Sequence, residues 1–401
     1  MVKTLMRSVR EYKKSSILTP VFVTFEVILE VMIPLLMAKL IDYGIEAGNM
    51  QYILKMGAIL VICCIVSLTF GALSGKYAAV ASAGFAKNLR MDMYNKVQEY
   101  SFSNIDKFSA ASIVTRLTTD ITNIQNAYQM AIRVAVRSPI MLIFALFMAF
   151  QINSHLAPIF VIAIPILAVG LWLIIQNAKT IFERVFRTYD HLNNVVQENL
   201  HGIRVVKSFV REDHETEKFG KVSQTIYKDF SKAERILAFN APLMQFCAYG
   251  CMLLISWLGA KLIVASGNNP AVGMTTGDLT SMFSYTMQIL MSLMMFSMVF
   301  VMITISYASM ERAVEILNEE SDIHNPEHPI SQVEDGSIVF ENVSFRYGKN
   351  ADKLCLDHIN LNIPAGATVG IIGGTGSSKS TLVQLIPRLY DVSEGSVKVG
   401  G

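Results

Sequence analysis

Charge is scarce in this chain: Asp, Glu, Lys and Arg make up 16% of its 401 residues, while 52% are hydrophobic. With a mean hydropathy of +0.42, that shortage excludes a soluble protein of ordinary surface, and most of the chain is expected to sit in lipid. Neither sign of charge is in large excess. The formal total is +2, which gives nucleic-acid binding no support and leaves the placement of charges as the informative quantity. Cysteine is sparse and scattered. Cys63, Cys64, Cys247, Cys251 and Cys355 lack the clustering and polar neighbours that a disulfide frame or a zinc site requires. Cys247 and Cys251 share a helix face at i, i+4, where small soft side chains simply pack. A cleavable signal peptide is also not expected, because the polar, basic start MVKTLMRSVREYKKSS precedes an apolar run that is too long and has no small-residue cleavage pattern.

Long apolar runs are what the chain has in abundance. Six of them, at about 17–40, 53–73, 135–152, 157–175, 243–264 and 279–305, reach the roughly 20 residues that a helix needs to cross a bilayer. The first and second, third and fourth, and fifth and sixth are joined by short loops without Lys or Arg (DYGIEAGNM, NSHL, ASGNNPAVGMTTGD). The second and third, and the fourth and fifth, are separated by about 60 polar residues each. Basic residues concentrate in these long connections, including Lys87, Arg90, Arg116 and Arg133 in the first and Arg184, Arg204, Lys207 and Lys218 in the second. Together with Lys3, Arg7, Arg10, Lys13 and Lys14, they predict a cytoplasmic N-terminus, cytoplasmic connections and a cytoplasmic C-terminal part. Lys39, Lys55 and Lys261 run against this trend and are expected to snorkel. Apolar residues at helical spacing (Leu89, Met93, Tyr94, Val97; Leu192, Val195, Val196, Leu200) predict that the membrane helices continue past the bilayer, turn and come back as two stalk-like hairpins.

Beyond the sixth run the composition changes. Residues 311–336 carry Pro and acidic residues as a linker, and from 337 the segments SIVFENVSFRY, LDHINLNIPAG and ATVGIIG read as strands. The stretch VGIIGGTGSSKSTL, 369–382, predicts a buried strand over 367–372, a glycine-rich loop, and an apolar helix continuing over 382–389. Such a loop lets backbone N–H groups close on phosphate oxygens and places them at a positive helix N-terminus. The nucleotide-holding residues are expected to be Gly373, Gly374, Thr375, Gly376, Ser377, Ser378, Lys379, Ser380 and Thr381, with Lys379 reaching the β and γ phosphates and Ser380 ligating Mg²⁺. The template GxxxxGK(S/T) wants glycine before the lysine. Ser378 stands there, and its Cβ is expected to hinder close approach to the β-phosphate. The plain alternative, a Gly/Ser turn, fits the strand-loop-helix context less well.

This order of parts resembles the ABC exporters, and the likeness covers the whole chain. IDKFSAASIVTRLTTDITNIQ and QENLHGIRVVKSFVREDHE resemble the family's two coupling segments, SYASMERAVEILNE the exit of its sixth helix, and FENVSFRY with LDHINLNIPAGATVGIIG its first nucleotide-binding sheet. It is closest to a C-terminally truncated half-transporter of bacterial multidrug type. The resemblance implies a membrane all-α six-helix exporter domain over 1–310 with long cytoplasmic helical extensions, followed by the N-terminal part of an α/β P-loop ABC nucleotide-binding domain over 337–401. It places Tyr347 against an adenine ring, where an aromatic face stacks without hydrogen bonds; the alternative is an ordinary strand tyrosine. It makes Arg116, Asp120, Glu198, Arg204 and Lys207 docking residues of the coupling turns, against the alternative of a solvated helix face.

Two carboxylates inside the first run, Glu26 and Glu30, cost several kcal/mol there and share a face at i, i+4. They read equally as contacts for cationic amphipathic substrates and as hydrogen-bonding groups for neighbouring helices or cavity water. Met287, Met291 and Met295 in a sixth run rich in Met and Phe suit an adaptable ligand wall, or a lipid-facing helix. The function implied is ATP-driven efflux of amphipathic small molecules across the cell membrane by alternating access, with ATP and Mg²⁺ as cofactors. The implied partners are a second half-transporter, the lipid bilayer and a small amphipathic substrate. A lipid or peptide flippase on the same scaffold, and a degenerate-site regulatory subunit of a heterodimer, are the rivals. In the family the Q-loop, signature loop, acidic Mg²⁺-holding strand, catalytic glutamate and switch histidine all follow the P-loop helix. The chain as given therefore holds no catalytic residue and is expected to be a fragment that does not itself hydrolyse ATP, since its open sheet would otherwise leave unpaired edges.

Overall fold

The computed structural model describes residues 1–269, 273–325, 327–328, 332–347 and 353–401; the fifth-to-sixth loop and the linker fall partly outside them. The order of elements is α1 (Val2–Met6), α2 (Lys13–Leu40), α3 (Met50–Gln98), α4 (Phe102–Phe108), α5 (Ala110–Thr115), α6 (Ile121–Ile152), α7 (Pro158–His201), α8 (Ile203–Ser208), α9 (Glu212–Leu237), α10 (Asn240–Ser266) and α11 (Thr276–Asn318). Then come β1 (Ile338–Phe345), β2 (Leu356–Ile363), α12 (Lys379–Leu385) and β3 (Glu394–Val399). Six of the described helical stretches are long and apolar enough to cross a membrane. Each of the six apolar runs falls on one helix, α2, α3, α6, α7, α10 and α11 in turn, the fourth beginning one residue before α7. Helices α3 and α7 continue about 25 residues past their runs, roughly 37 Å at 1.5 Å per residue. These are the expected extensions. The first connection turns through α4 and α5, and the second through α8 into α9.

The chain forms two compact units: residues 1–14, 80–128 and 303–401 make one, and 15–79 with 129–302 make the other. The core of the second unit is a stripe at four-residue spacing on α2, with Val23, Val27 and Val31 meeting Met141, Ala145 and Ala149 of α6 and Met282, Tyr285 and Ile289 of α11. That spacing keeps one face of each helix turned inward. Polar groups in this core bond to main-chain carbonyls: Tyr285 Oη donates to Val31 O at 2.8 Å and Ser292 Oγ to Ser138 O at 2.5 Å. In hydrocarbon such groups need an internal partner. Helix α3 instead exposes Leu54, Val61, Ile62, Ile65 and Leu68, the composition of a face solvated by lipid. The returning helix α9 packs along α7 through Ile181, Val185, Ile226 and Ala233, and an Arg184–Asp229 ion pair at 2.9 Å joins them.

In the first unit, Phe85, Leu89 and Met93 of α3 pack with Phe108, Ile113, Ile121, Ile124, Ala313 and Ile316. Its sheet is antiparallel, in the order β2-β1-β3, and Leu385 of α12 belongs to the cluster formed by Phe340, Val343, Phe345 and Leu356. Two expectations need correction here. Residues 367–372 form no strand, and Ile372 is 98% exposed. The three described strands pair only with one another, so this run has no ladder to satisfy its backbone, and β-propensity alone does not hold an unpaired segment extended. The helix after the loop also ends at Leu385 and does not continue through Leu389.

Candidate functional site

The glycine-rich loop is a tight exposed turn closed by its own lysine. Gly376 takes φ +85, and a Cβ on Gly373 would stand 2.7 Å from Ser377 Oγ, so neither position accepts a side chain without rearrangement. Lys379 Nζ donates to the carbonyls of Gly373 at 2.9 Å and Gly374 at 2.7 Å, which centres its positive charge on the concave side of the loop. Ser378 adopts φ 58, ψ 24, the left-handed conformation, immediately before α12. The missing glycine thus shows as a non-glycine residue in a glycine conformation. Ser380 is exposed on the first turn of α12, while Thr381 is buried. Tyr347 Oη shares a hydrogen bond of 2.9 Å with Thr381 Oγ1 and donates to Gln384 Oε1 at 3.1 Å. The tyrosine, 44% exposed, therefore stands beside the loop's helix with its phenol anchored.

These residues fit a Mg²⁺-bound polyphosphate. The loop from Gly373 to Ser377 is exposed, its ammonium is held, among the described residues, by two carbonyls and a hydroxyl that phosphate oxygens can replace, and Ser380 presents an exposed hydroxyl of the type that ligates Mg²⁺. When bound, such a group supplies the free energy of its phosphoanhydride bonds.

A second constellation lies in the second unit, the membrane unit, which holds nearly all of the six apolar runs. Arg137 of α6 extends its guanidinium fork to both carboxylates of α2: Nη1 pairs with Glu26 Oε1, and Nη2 with Glu30 Oε2 at 2.5 Å. One fork bridging two carboxylates one turn apart offsets much of the cost of placing them in an apolar span. The structure thus supplies the neighbouring-helix partner that was one of the two sequence readings. Glu30 and Arg137 also line a cavity of about 300 Å³, together with Met141, Met287, Met291 and Met295 and with Ser138, Gln288 and Ser292. The three sixth-run methionines singled out from sequence therefore share one cavity with Glu30, whereas Glu26 is packed behind it against Gly71.

Of the residues expected to serve in the coupling turns, all but Arg204 have charged partners among the described residues. Arg116 Nη1 donates to Glu315 Oε2 at 2.6 Å and to Arg312 O at 3.0 Å, and its guanidinium lies 4.9 Å from the Phe108 ring. The Asp120 side chain, 1% exposed, pairs with Arg312 and accepts from Ser309 Oγ at 2.8 Å. Glu198 pairs with Lys218 at 2.7 Å, Lys207 with Glu212 at 2.9 Å, and Arg204 is exposed on α8. A link that sequence reasoning missed joins the first connection to the sheet region. Tyr390 Oη donates to Asp106 Oδ2 at 2.8 Å, and its ring lies 6.1 Å from that of Phe102. Burial and the neighbouring Asp106 push the Tyr390 phenol up to about 12, so it remains a donor at neutral pH. Arg137 was missed too, although it is the one charged residue of the run 135–152 and an arginine alone in an apolar span signals a buried acid nearby.

Residues 16–294 match the family described as the ABC transporter transmembrane region, and 356–401 match the ABC transporter family. The chain is 32% identical over 374 residues to an uncharacterized ABC transporter ATP-binding protein of Bacillus subtilis, YfiB, covering 93% of this chain and 64% of that protein. It is 30% identical over 406 residues to an uncharacterized ABC transporter ATP-binding protein of Mycobacterium tuberculosis, Rv1273c, covering 99% and 67%. An ATP-dependent lipid A-core flippase of Desulfotalea psychrophila is 28% identical over 340 residues, covering 84% and 58%. The chain spans about two thirds of the length of the curated relatives it matches.

Proposed function

The chain belongs to the ABC transporters, joining their transmembrane region to the beginning of an ATP-binding domain, and from that premise we propose that it is one half of a dimeric exporter for amphipathic small molecules. The observation that carries this reading is the cavity in the membrane unit: four methionines line it together with the Glu30–Arg137 pair and the smaller polar contributions of Ser138, Gln288 and Ser292. Flexible thioethers accept differently shaped apolar bodies, and a single polar end orients them.

In this reading Tyr347 offers its ring to the base, Lys379 exchanges the loop carbonyls for phosphate oxygens, and the Ser380 hydroxyl is the Mg²⁺ ligand. The basic N-terminal segment and both long connections lie in the cytoplasm, as does the part after α11. Arg116 and Asp120 brace the first connection against α11, and Glu198 and Arg204 belong to the turn of the second, which docks on the partner half-transporter. Closing two such halves moves the helical extensions and switches the cavity from inward to outward access. The test is ATP-dependent uptake of an amphipathic fluorophore by inside-out proteoliposomes of the full-length protein, with Lys379→Ala expected to abolish it.

A lipid flippase is the second reading, favoured by the name of the Desulfotalea relative. Translocation of a fluorescent phospholipid in the same vesicles, without fluorophore uptake, would establish it in place of the first.

A further inference from the structure

The charges of the group formed by Glu26, Glu30 and Arg137 do not cancel among themselves. Glu26, Glu30 and Arg137 sum to a formal −1, and their geometry decides where the surplus resides. The Glu26 side chain is 13% exposed and that of Arg137 23%, while that of Glu30 is 35% exposed. Glu26 is closed off: a Cβ on Gly71 would stand 3.2 Å from its Cδ, its buried Oε2 has no hydrogen-bond partner among the described residues, and it is not among the residues that line the cavity. Glu30 lines the cavity beside Arg137. Gln288, also in the wall, turns its Nε2 to the Glu30 carbonyl at 3.4 Å, which leaves its buried Oε1 without a partner among the described residues. With the Arg137 fork shared by both carboxylates, the polar end of the cavity presents a group of net formal charge −1, reached through Glu30, and an orphan carbonyl acceptor, set against thioethers.

We propose that Glu30 is the specificity-determining carboxylate of this cavity and selects monocationic amphipaths, with Glu26 acting as the positioning residue that neutralises Arg137. This rests on the reading that amphipaths enter the cavity, and adds the sign of their charge. In a low-dielectric pocket a group of net negative charge attracts a cation far more strongly than it does in water. The charge count makes the proposal specific. Removing Glu26 alone leaves Arg137 to neutralise Glu30, whereas removing Glu26 and Arg137 together returns the surplus charge to Glu30.

The experiment uses the full-length protein in lipid nanodiscs and the near-isosteric ions tetraphenylphosphonium and tetraphenylborate. Equilibrium dialysis gives each Kd after subtraction of binding to empty nanodiscs. The natural protein should prefer the cation by about tenfold or more. Glu30→Gln and Glu26→Gln should each bring the ratio close to one, and Glu26→Gln combined with Arg137→Gln should restore the preference. Thermal unfolding of each variant accompanies the dialysis, because a merely structural triad makes the double variant the most impaired and leaves the ratio unmoved. A ratio that survives Glu30→Gln, or that fails to return in the folded double variant, overturns the proposal. Equal binding of both ions by the natural protein overturns the charge assignment and leaves the exporter reading standing. Binding of neither ion above empty nanodiscs defeats both.

Discussion

At φ 58 a serine carries strain that a glycine does not, and a left-handed L-residue costs roughly 1–2 kcal/mol. Ser378→Gly is therefore expected to stabilise the loop by about 1 kcal/mol. Because Ser378 already follows the path that a glycine would take, the same change should alter affinity for a fluorescent ATP analogue by less than about tenfold. Ser378→Val, a β-branched residue forced to positive φ, should weaken both the loop and the binding. Fluorescence titration of the three forms decides, and a gain of a hundredfold on Ser378→Gly would show that the Cβ itself obstructs the phosphate. The turn and the start of the helix after it were legible because the residues that shape them are contiguous in sequence. The partner of Glu26 and Glu30 was not, because Arg137 lies more than a hundred residues away and periodicity carries no information about which two helices face each other.

Helices were the most legible elements, since a run of about 20 apolar residues has few other stable outcomes in lipid, and the stalk hairpins followed from three- and four-residue spacing. The segment 367–372 was misjudged for a physical reason. A helix satisfies its own hydrogen bonds, but a strand depends on neighbours that its own sequence does not specify. Glycines within the helical extensions make a further test at this scale. A Cβ on Gly84 in α3 would stand 2.4 Å from three ring atoms of Tyr12, whereas a Cβ on Gly220 in α9 would meet nothing within 4 Å. Alanine gains about 1 kcal/mol of helix propensity at either site, and overpacking costs about 1–3 kcal/mol where a rigid ring must move. Gly220→Ala should thus raise the thermal midpoint and Gly84→Ala lower it. Equal shifts in the two would show that the Tyr12 ring yields freely.

At the scale of the whole molecule, what must be tested is how its parts communicate and which way it faces. Within one compact unit, Tyr390 and Asp106 tie α4 to the region after α12. Tyr390→Phe removes that hydrogen bond, about 1 kcal/mol, while keeping the ring beside Phe102. It is expected to lower substrate-stimulated ATPase activity of the full-length protein with little change in nucleotide affinity. An ATPase still fully stimulated would mean that this contact carries no signal. Orientation rests on the basic residues of the long connections, and it can be read directly with the five native cysteines changed to serine. Ser154, in the short α6–α7 loop, and Ser208, at the end of α8, are both exposed. A membrane-impermeant maleimide should label Ser154→Cys on intact cells, and Ser208→Cys only after permeabilisation. The reverse pattern would put the nucleotide loop outside the cell, where cytoplasmic ATP cannot reach Lys379, and the exporter reading would fall with it.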